Sequence, residues 1–553
     1  MSSRLHYALR IEGMTCDGCA RHVTEALKSV SRVEEARVGS WKSGQAAVVA
    51  ADSVEADPLV RAVERAGYRA VVLERRPLDG ERSVPSGGGE YDLMVIGGGS
   101  AAFAAAIKTA ELGARVAIVE KGTIGGTCVN IGCVPSKTLI KAAEVCYHSA
   151  YPSFEGLTAC PPPSDWQRVV EQKDELVAAL REGKYIHVAE QYPNITILHG
   201  EARFTGRRSL AVDGRTYSPA KILIATGSSP WAPPIPGLRE AGFLDSTDAL
   251  SLPELPKSIM IIGGGAIGLE FTQLFARFGV RVMLFEGLRH LAPLEEPEIG
   301  EALKKYLEAE KVQVCTGIEI QKVERVGGLY RLHGRVDGEE VVCSAAQLML
   351  AAGRRPHTAG LGLEVAGVET GPRGEIPVNE YLQTSNPEVY AAGDCLGEPM
   401  FVYAAAYAGG LAAENALTGA GRVYDLLALP RVTFTDPQIA AVGLTEQKAR
   451  EKGYKVNTSV LDLKEVPKAL ASRDTRGLIK LVAEEGTGRL LGAHMLAANA
   501  GDAIQEATLA IRFGLTVRDI IETFHAYLTL PEGIKLAALT FQKDVGKLSC
   551  CAA

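Results

Sequence analysis

The chain has no apolar run approaching the ~18–20 residues that span a bilayer, which argues against a helical membrane protein. It has no excess of positive charge. Its 59 Lys and Arg against 66 Asp and Glu give a net charge of −7, so nothing in the electrostatic balance directs it to nucleic acid. Its opening residues, Met1-Ser2-Ser3-Arg4-Leu5-His6-Tyr7, lack the apolar core of a secretory leader. Together these absences give the expectation of a cytoplasmic protein with no stable membrane association. Structural disulfides are rare in that compartment, so the eleven cysteines are expected to be catalytic, metal-binding or buried. A content of 46% hydrophobic and 23% charged residues is too apolar for disorder. The length of 553 residues implies roughly three to four domains of ~150 residues each.

Residues 1–73 read as a small separate domain. Leu5 to Ile11 alternate as a strand does, and Ala20, Val23, Ala26, Leu27 and Val30 recur at helical spacing. A hairpin crosses Lys42-Ser43-Gly44, a second helix covers Leu59 to Ala66, and a last strand covers Tyr68 to Leu73. This βαββαβ order is the ferredoxin-like motif. Residues 74–90 are rich in Gly, Pro and charge without periodicity, and read as a flexible linker with an r.m.s. span of roughly 23 Å. Beyond it, Tyr91 to Glu120 and Ser258 to Glu286 repeat one pattern of strand, glycine turn, helix and strand. From about 426 onward the composition changes to strands and amphipathic helices.

Each repeat carries a dinucleotide fingerprint. In Gly97-Gly98-Gly99-Ser100-Ala101-Ala102, Gly97 makes the tight turn and Gly99 admits a pyrophosphate to the helix N-terminus. Ala102 lets helix and strand pack closely, and Glu120 can accept from ribose hydroxyls. Gly263, Gly265, Gly268 and Glu286 occupy the same places in the second copy, and in both the acid lies 23 positions after the first glycine. One such match is weak, but two complete ones point to two nucleotide sites, for FAD and a nicotinamide nucleotide.

Between them lies Gly126-Thr127-Cys128-Val129-Asn130-Ile131-Gly132-Cys133-Val134-Pro135-Ser136-Lys137. Pro135 suits a first helical turn, which would put Cys133 at a helix N-terminus where thiolate is favoured. A zinc half-site or two buried thiols is the alternative, but no second pair at finger spacing completes a zinc site. A redox dithiol beside a flavin is the stronger reading.

With these motifs in view, residues 91–553 resemble the flavin-dependent pyridine nucleotide–disulfide oxidoreductases. The loop from Thr127 to Lys137 is similar to their redox-active segment nearly residue for residue. Thr226 and Gly227, Gly353, and Asp394 fall in segments resembling the exits from and return to the nucleotide domains. The resemblance implies a fold of two Rossmann-like α/β domains and an α+β dimerisation domain, after the small ferredoxin-like metal-binding domain. Its boundaries are a FAD-binding part at 91–250 and 359–425, a NAD(P)-binding domain at 251–358, and a dimerisation domain at 426–553. It also implies a homodimer, a Lys137–Glu270 ion pair beside the flavin, and Cys133 as the flavin-proximal sulfur with Cys128 as the exchange sulfur. Cys128 and Cys133 would thus form a disulfide in the oxidised enzyme.

The disulfide-reducing members carry His-Ala-His-Pro-Thr-x-x-Glu near the C-terminus, whereas this chain has His525-Ala526-Tyr527-Leu528-Thr529-Leu530-Pro531-Glu532. Tyr, with an ordinary pKa near 10, is poorly suited to the base role of the missing His. His525 is a substitute in principle, but it stands two residues away from the required position. Two further thiol pairs stand out: Cys16/Cys19 in Gly13-Met14-Thr15-Cys16-Asp17-Gly18-Cys19, and Cys550/Cys551 at the C-terminus. The first resembles the loop of heavy-metal-associated domains, although a CxxC can also be a thioredoxin-type pair. The second can be read as bare tail thiols or as a soft-metal station. The branch of the family that reduces mercuric ion combines all these features. By that resemblance, thiol-bound Hg(II) is the substrate and passes from Cys16/Cys19 to Cys550/Cys551 to Cys128/Cys133, with Tyr527 and Glu532 at the catalytic site. A dihydrolipoamide-type disulfide reductase fused to a copper-binding module is the alternative, and a thiol-based metal buffer a third. The family points to NADPH, while Glu286 favours NADH. Cys146, Cys160, Cys315, Cys343 and Cys395 have no partner pattern and read as core or surface thiols.

Overall fold

A computed structural model describes residues 4–15, 17–38, 44–51, 54–77, 89–160 and 165–547. Cys16, Cys550, Cys551 and residues 78–88 of the expected linker lie outside the described residues. The chain divides into two compact units, Met1–Ser83 and Val84–Ala553.

The first unit runs β1 (Arg4–Glu12), α1 (Asp17–Lys28), β2 (Val33–Val38), β3 (Gln45–Ala51), α2 (Ala56–Arg65) and β4 (Arg69–Pro77). Its antiparallel sheet has the order β2-β3-β1-β4. Period-two alternation puts Leu5, Tyr7, Leu9 and Ile11 on one face, where they meet Val23 and Leu27 of α1 and Leu59 and Val63 of α2. The last strand does not stop at Leu73. It runs on to Pro77, because β1 begins at Arg4 and its first residues pair with Arg75 to Pro77 across a bulge.

The second unit holds three sheets that matter for the site. The first is parallel, ordered Val389–Ala391, Lys221–Ile224, β5 (Leu93–Ile96), β6 (Val116–Glu120) and Ile195–His199. β5 is buried along its whole length, as expected of a strand covered on both faces. One face is covered by α3 (Ser100–Glu111) and the helix Val402–Thr418. These two approach so closely that a Cβ at Gly409 would lie 2.0 Å from the Ala101 carbonyl. The second parallel sheet is ordered Gln313–Thr316, Arg281–Glu286, Ser258–Ile262 and Gln347–Leu350. The third is antiparallel with five strands between Arg431 and Ala497, and buries its apolar face under Ala500–Arg512 and Leu530–Leu539. The architecture is mixed α/β with two dinucleotide-type sheets, a third α+β layer, and a separate βαββαβ unit. Among the described residues no helix is long and apolar enough to cross a membrane.

Candidate active site

Each nucleotide loop is built from backbone where side chains will not fit. Gly97 has φ +114°, and a Cβ there would lie 2.3 Å from the Ala225 carbonyl oxygen. A Cβ at Gly126 would lie 2.6 Å from Gly99 Cα, so the loop holding the cysteines packs directly on the first glycine turn. Glu120 receives the Gly98 N–H on Oε2 and the Gly122 N–H on Oε1, both at 2.6 Å. The expected ribose acceptor is therefore also the clamp that shapes the loop. Beside Gly97, the Thr226 hydroxyl is buried without a hydrogen-bond partner among the described residues. Asp394 accepts from Ser228 Oγ at 2.7 Å, and Arg354 Nε donates to that same Oγ at 2.8 Å. Taken together, a bare glycine turn, a helix N-terminus, an unsatisfied hydroxyl and a held carboxylate fit a flavin dinucleotide.

The second loop is built the same way. Gly263 has φ +116°, and a Cβ at Gly268 would lie 1.8 Å from the Gly263 carbonyl oxygen. The carboxylate of Glu286 accepts from Gly264 N–H at 2.6 Å and Leu288 N–H at 2.8 Å. Nothing lies within 4 Å of a Cβ built on Gly265, which leaves that backbone open to a nicotinamide dinucleotide.

Cys128 sits on α4 (Gly126–Ile131), and Cys133 is the first residue of α5 (Cys133–Ala150). Both thiols are free, Cys128 half-buried and Cys133 exposed. The Cys133 thiol is pulled down to about 7, chiefly by a hydrogen bond from Cys128 and then by the charge of Lys137, against the opposing effects of partial desolvation at the sulfur and the charge of Glu270. Cys128 is pushed up because it donates to Cys133, is partly buried and faces a like charge. The sequence reading assigned thiolate formation to the helix N-terminus; here the neighbouring thiol and the lysine dominate. It follows that carboxamidomethylation of Cys133 in the reduced protein should rise about tenfold per pH unit up to about 7 and then level off, with Cys128 unreactive. Mass-resolved labelling checks this, and a midpoint near the ordinary thiol value of 9.0 would disprove it.

Lys137 Nζ lies 2.7 Å from Glu270 Oε2, and Glu270 Oε1 accepts the Phe434 N–H at 2.9 Å. The ammonium also stands 5.0 Å from the Phe434 ring centroid. One buried carboxylate thus ties α5 and the helix Ala266–Arg277 to the start of the third sheet.

At the C-terminal end, Tyr527 is exposed on the loop before Leu530–Leu539. His525 is turned inward, with Nε2 2.6 Å from Glu506 Oε1 and Nδ1 3.0 Å from the Thr523 carbonyl. Its side chain is only 4% exposed, so it is not presented as a surface base. Glu532 is buried and accepts the Leu528 N–H at 3.2 Å. In the first unit, Cys19 stands near the start of α1 with Thr15 Oγ1 3.6 Å from its sulfur. Cys395 is wholly buried and its thiol is pushed up to about 12, that of an inert core group.

Ser228 and Arg354 belong to this site's framework and lie in segments that the family resemblance marks, without a role assigned to them there; Phe434 carries no sequence signal, since an isolated Phe has no local pattern.

The pyridine nucleotide-disulphide oxidoreductase family matches residues 91–409, its dimerisation domain residues 429–538, and the heavy-metal-associated domain residues 8–69. The chain is a member of the pyridine nucleotide-disulphide oxidoreductases, a family that uses a flavin and a nicotinamide nucleotide, and its dimerisation domain indicates a homodimer. Within that family it belongs with the mercuric reductases. It is 47% identical to the mercuric reductase of Staphylococcus aureus over 547 residues, 99% of each chain. It is 42% identical to that of Shigella flexneri over 98% of this chain and 99% of the other. The mercuric reductase of Streptomyces lividans is 50% identical over 84% of this chain and 98% of its own. Among solved structures, the HOCl-induced flavoprotein disulfide reductase RclA from Escherichia coli, in a Cu(II) complex, superposes with a TM-score of 0.73 at 30% identity. That match covers 82% of this chain and 99% of the other.

Proposed function

We propose that this protein is an FAD-dependent Hg(II) reductase driven by a reduced nicotinamide nucleotide. The observation that carries this reading is the 47% identity to a mercuric reductase along 99% of both chains. Anaerobic oxidation of NADH or NADPH with HgCl₂ in excess thiol, with loss of volatile mercury followed in parallel, tests it. Enzyme-dependent volatilisation is expected, and turnover of organic disulfides alone would overturn it. The alternative of a disulfide reductase fused to a copper module is not favoured: Tyr527 stands where its base should be, and His525 faces Glu506. Reduced nicotinamide and abundant thiols make the cytosol the fitting compartment.

The flavin would be held by the turn at Gly97 and Gly99, with Ala102, Glu120, Thr127, Thr226, Gly227 and Asp394 around it, and would convert a nicotinamide hydride into an electron pair near Cys133. Gly263, Gly265, Gly268, Glu286 and Gly353 would hold the nicotinamide dinucleotide. Cys133, a thiolate near neutral pH, and Cys128 offer two soft sulfurs to one soft ion. Two electrons added to sulfur-bound Hg(II) give Hg(0) and two thiolates, so the pair is returned ready for the next ion. The hydrogen bond from Cys128 and then the charge of Lys137 keep the Cys133 sulfur anionic, and Glu270 holds Lys137 in place. Tyr527, with Glu532 fixing its loop, completes the ion's surroundings across the dimer.

Delivery runs from Cys16/Cys19 to Cys550/Cys551 and on to Cys128/Cys133 by stepwise thiolate exchange, since a thiol-bound ion dissociates too slowly to turn over. Replacing both Cys550 and Cys551 by Ala should lower turnover of Hg(II) carried by a bulky dithiol at least about tenfold, by removing a station of high effective concentration. Unchanged steady-state rates would eliminate this station.

Glu286 weighs against the NADPH to which the family resemblance points. Both its oxygens are fixed by backbone N–H groups, and a 2′-phosphate would meet this carboxylate. NADH is therefore favoured, and Glu286→Gln should raise the kcat/KM ratio of NADPH over NADH by about tenfold. An unchanged ratio in steady-state kinetics would count against this assignment.

A further inference from the structure

Asn130 lies between Cys128 and Cys133, and its side chain is fully engaged. Its Nδ2 group donates to the carbonyls of Ile124 at 2.9 Å and Gly126 at 3.0 Å. Its Oδ1 accepts from Arg181 Nη1 at 3.1 Å. Two acceptors on one side and a guanidinium on the other fix the amide's orientation, because the flipped amide would set oxygen against oxygen. The turn being closed is tight. Gly125 and Gly126 have φ +102° and +65°, and a Cβ at Gly125 would lie 2.5 Å from Val129 Cγ1.

Arg181 is supplied from outside the loop. It ends the helix Trp166–Arg181, which continues into a π-helical turn, Glu182–Ile186. Tyr185 of that turn meets Phe103 of α3 edge-on, with ring centroids 4.8 Å apart. The guanidinium is thus carried by a helix braced against the nucleotide-binding helix.

α4 has only six residues and cannot hold its own position. In the disulfide state, Cys128 is tied covalently to the start of α5. In the dithiol state that tie is gone, and the Asn130–Arg181 clamp remains. It is formed here with both thiols free.

We infer that Arg181, acting through Asn130, is a positioning residue that holds the reduced loop in place and so sets the dithiol–disulfide equilibrium of Cys128 and Cys133. This rests on the reading of that pair as the redox pair. Opening the S–S bond takes two electrons from the nicotinamide donor and one proton, leaving a thiol at Cys128 and a thiolate at Cys133. By holding the loop in place after the bond opens, the clamp keeps the two sulfurs near each other and lowers the entropy that closing the bond must remove, so it favours the disulfide. Without the clamp the balance moves toward the dithiol.

The test uses the flavin-loaded full-length protein and its variants Asn130→Ala, Asn130→Asp, Arg181→Met and Arg181→Lys. Each is equilibrated anaerobically at fixed NADH/NAD⁺ ratios, then quenched with an alkylating agent, and the reduced fraction of the Cys128–Cys133 peptide is read by mass spectrometry. Asn130→Ala and Arg181→Met should each shift the equilibrium about tenfold toward the dithiol, a potential about 30 mV less negative. Asn130→Asp should match them, because a carboxylate cannot donate to the two carbonyls. Arg181→Lys, which keeps a donor and the fold, should restore most of the wild-type value. A merely structural role would lower thermal stability or flavin content and leave the equilibrium in place. Shifts below about twofold in Asn130→Ala and Arg181→Met overturn the inference. Should the wild type show no nicotinamide-dependent opening of the Cys128–Cys133 bond, it is the redox-pair reading that fails, and this inference falls with it.

Discussion

Replacing Cys133 by serine should reduce mercury-dependent oxidation of the nicotinamide donor by roughly 10³-fold or more while leaving the flavin bound. A serine hydroxyl is a hard oxygen that stays protonated at neutral pH, whereas Cys133 is a soft sulfur drawn down to about 7 by Cys128 and Lys137. The substitution removes both the thiolate and the acceptor that Cys128 needs. Because the two sulfurs act as a unit, Cys128→Ser should cost nearly as much, and the double variant little more than either. Volatilised mercury under anaerobic conditions is the measurement. A Cys133→Ser enzyme retaining a tenth of the wild-type rate would refute the assignment of this pair as the place where Hg(II) is discharged.

The second large effect is expected at Gly268. A Cβ there meets the Gly263 carbonyl oxygen at 1.8 Å and Ala351 Cβ at 3.4 Å, and the nearer of the two is backbone of the nucleotide turn. Gly268→Ala must therefore push the helix Ala266–Arg277 away from its strand. That displaces the pyrophosphate-binding turn and, on the same helix, Glu270 from Lys137. Reduction by nicotinamide nucleotide should fall at least ~10²-fold, the scale of an ångström misplacement, while chemical reduction of the thiols by dithiothreitol continues. Gly265→Ala is the control. Its Cβ meets no protein atom, so thermal stability should hold and only nucleotide affinity should drop. Equal thermal stability for both variants would contradict the packing argument.

Much of the molecule is readable from local pattern. The alternation of Leu5, Tyr7, Leu9 and Ile11 gives β1 its buried face. The two glycine turns with an acid 23 residues on mark both nucleotide loops. The Cys128 to Lys137 motif marks the reactive loop. These signals survive in one dimension because each depends on residues within a turn or two of each other. The cause of the Cys133 thiolate was not legible. A helix N-terminus is a local property, but the hydrogen bond from Cys128 and the charge of Lys137 depend on how α4 and α5 meet. The end of β4 was missed for the same kind of reason. Pro77 is a poor strand former, and only pairing with Leu5 carries the strand that far.

Element types, the two nucleotide turns and the loop that carries Cys128 and Cys133 are legible in residue order alone, because backbone preference and side-chain chemistry are written residue by residue. Tertiary structure alone decided which distant groups serve them. Glu270 reaches Lys137 across 133 positions and Phe434 across 164, and Arg181 reaches Asn130 across 51. His525 turns to Glu506 instead of standing beside Tyr527 as a base. Such partnerships come from the packing of whole sheets and helices, and burial then fixes each charge against the partner that the fold brings to it.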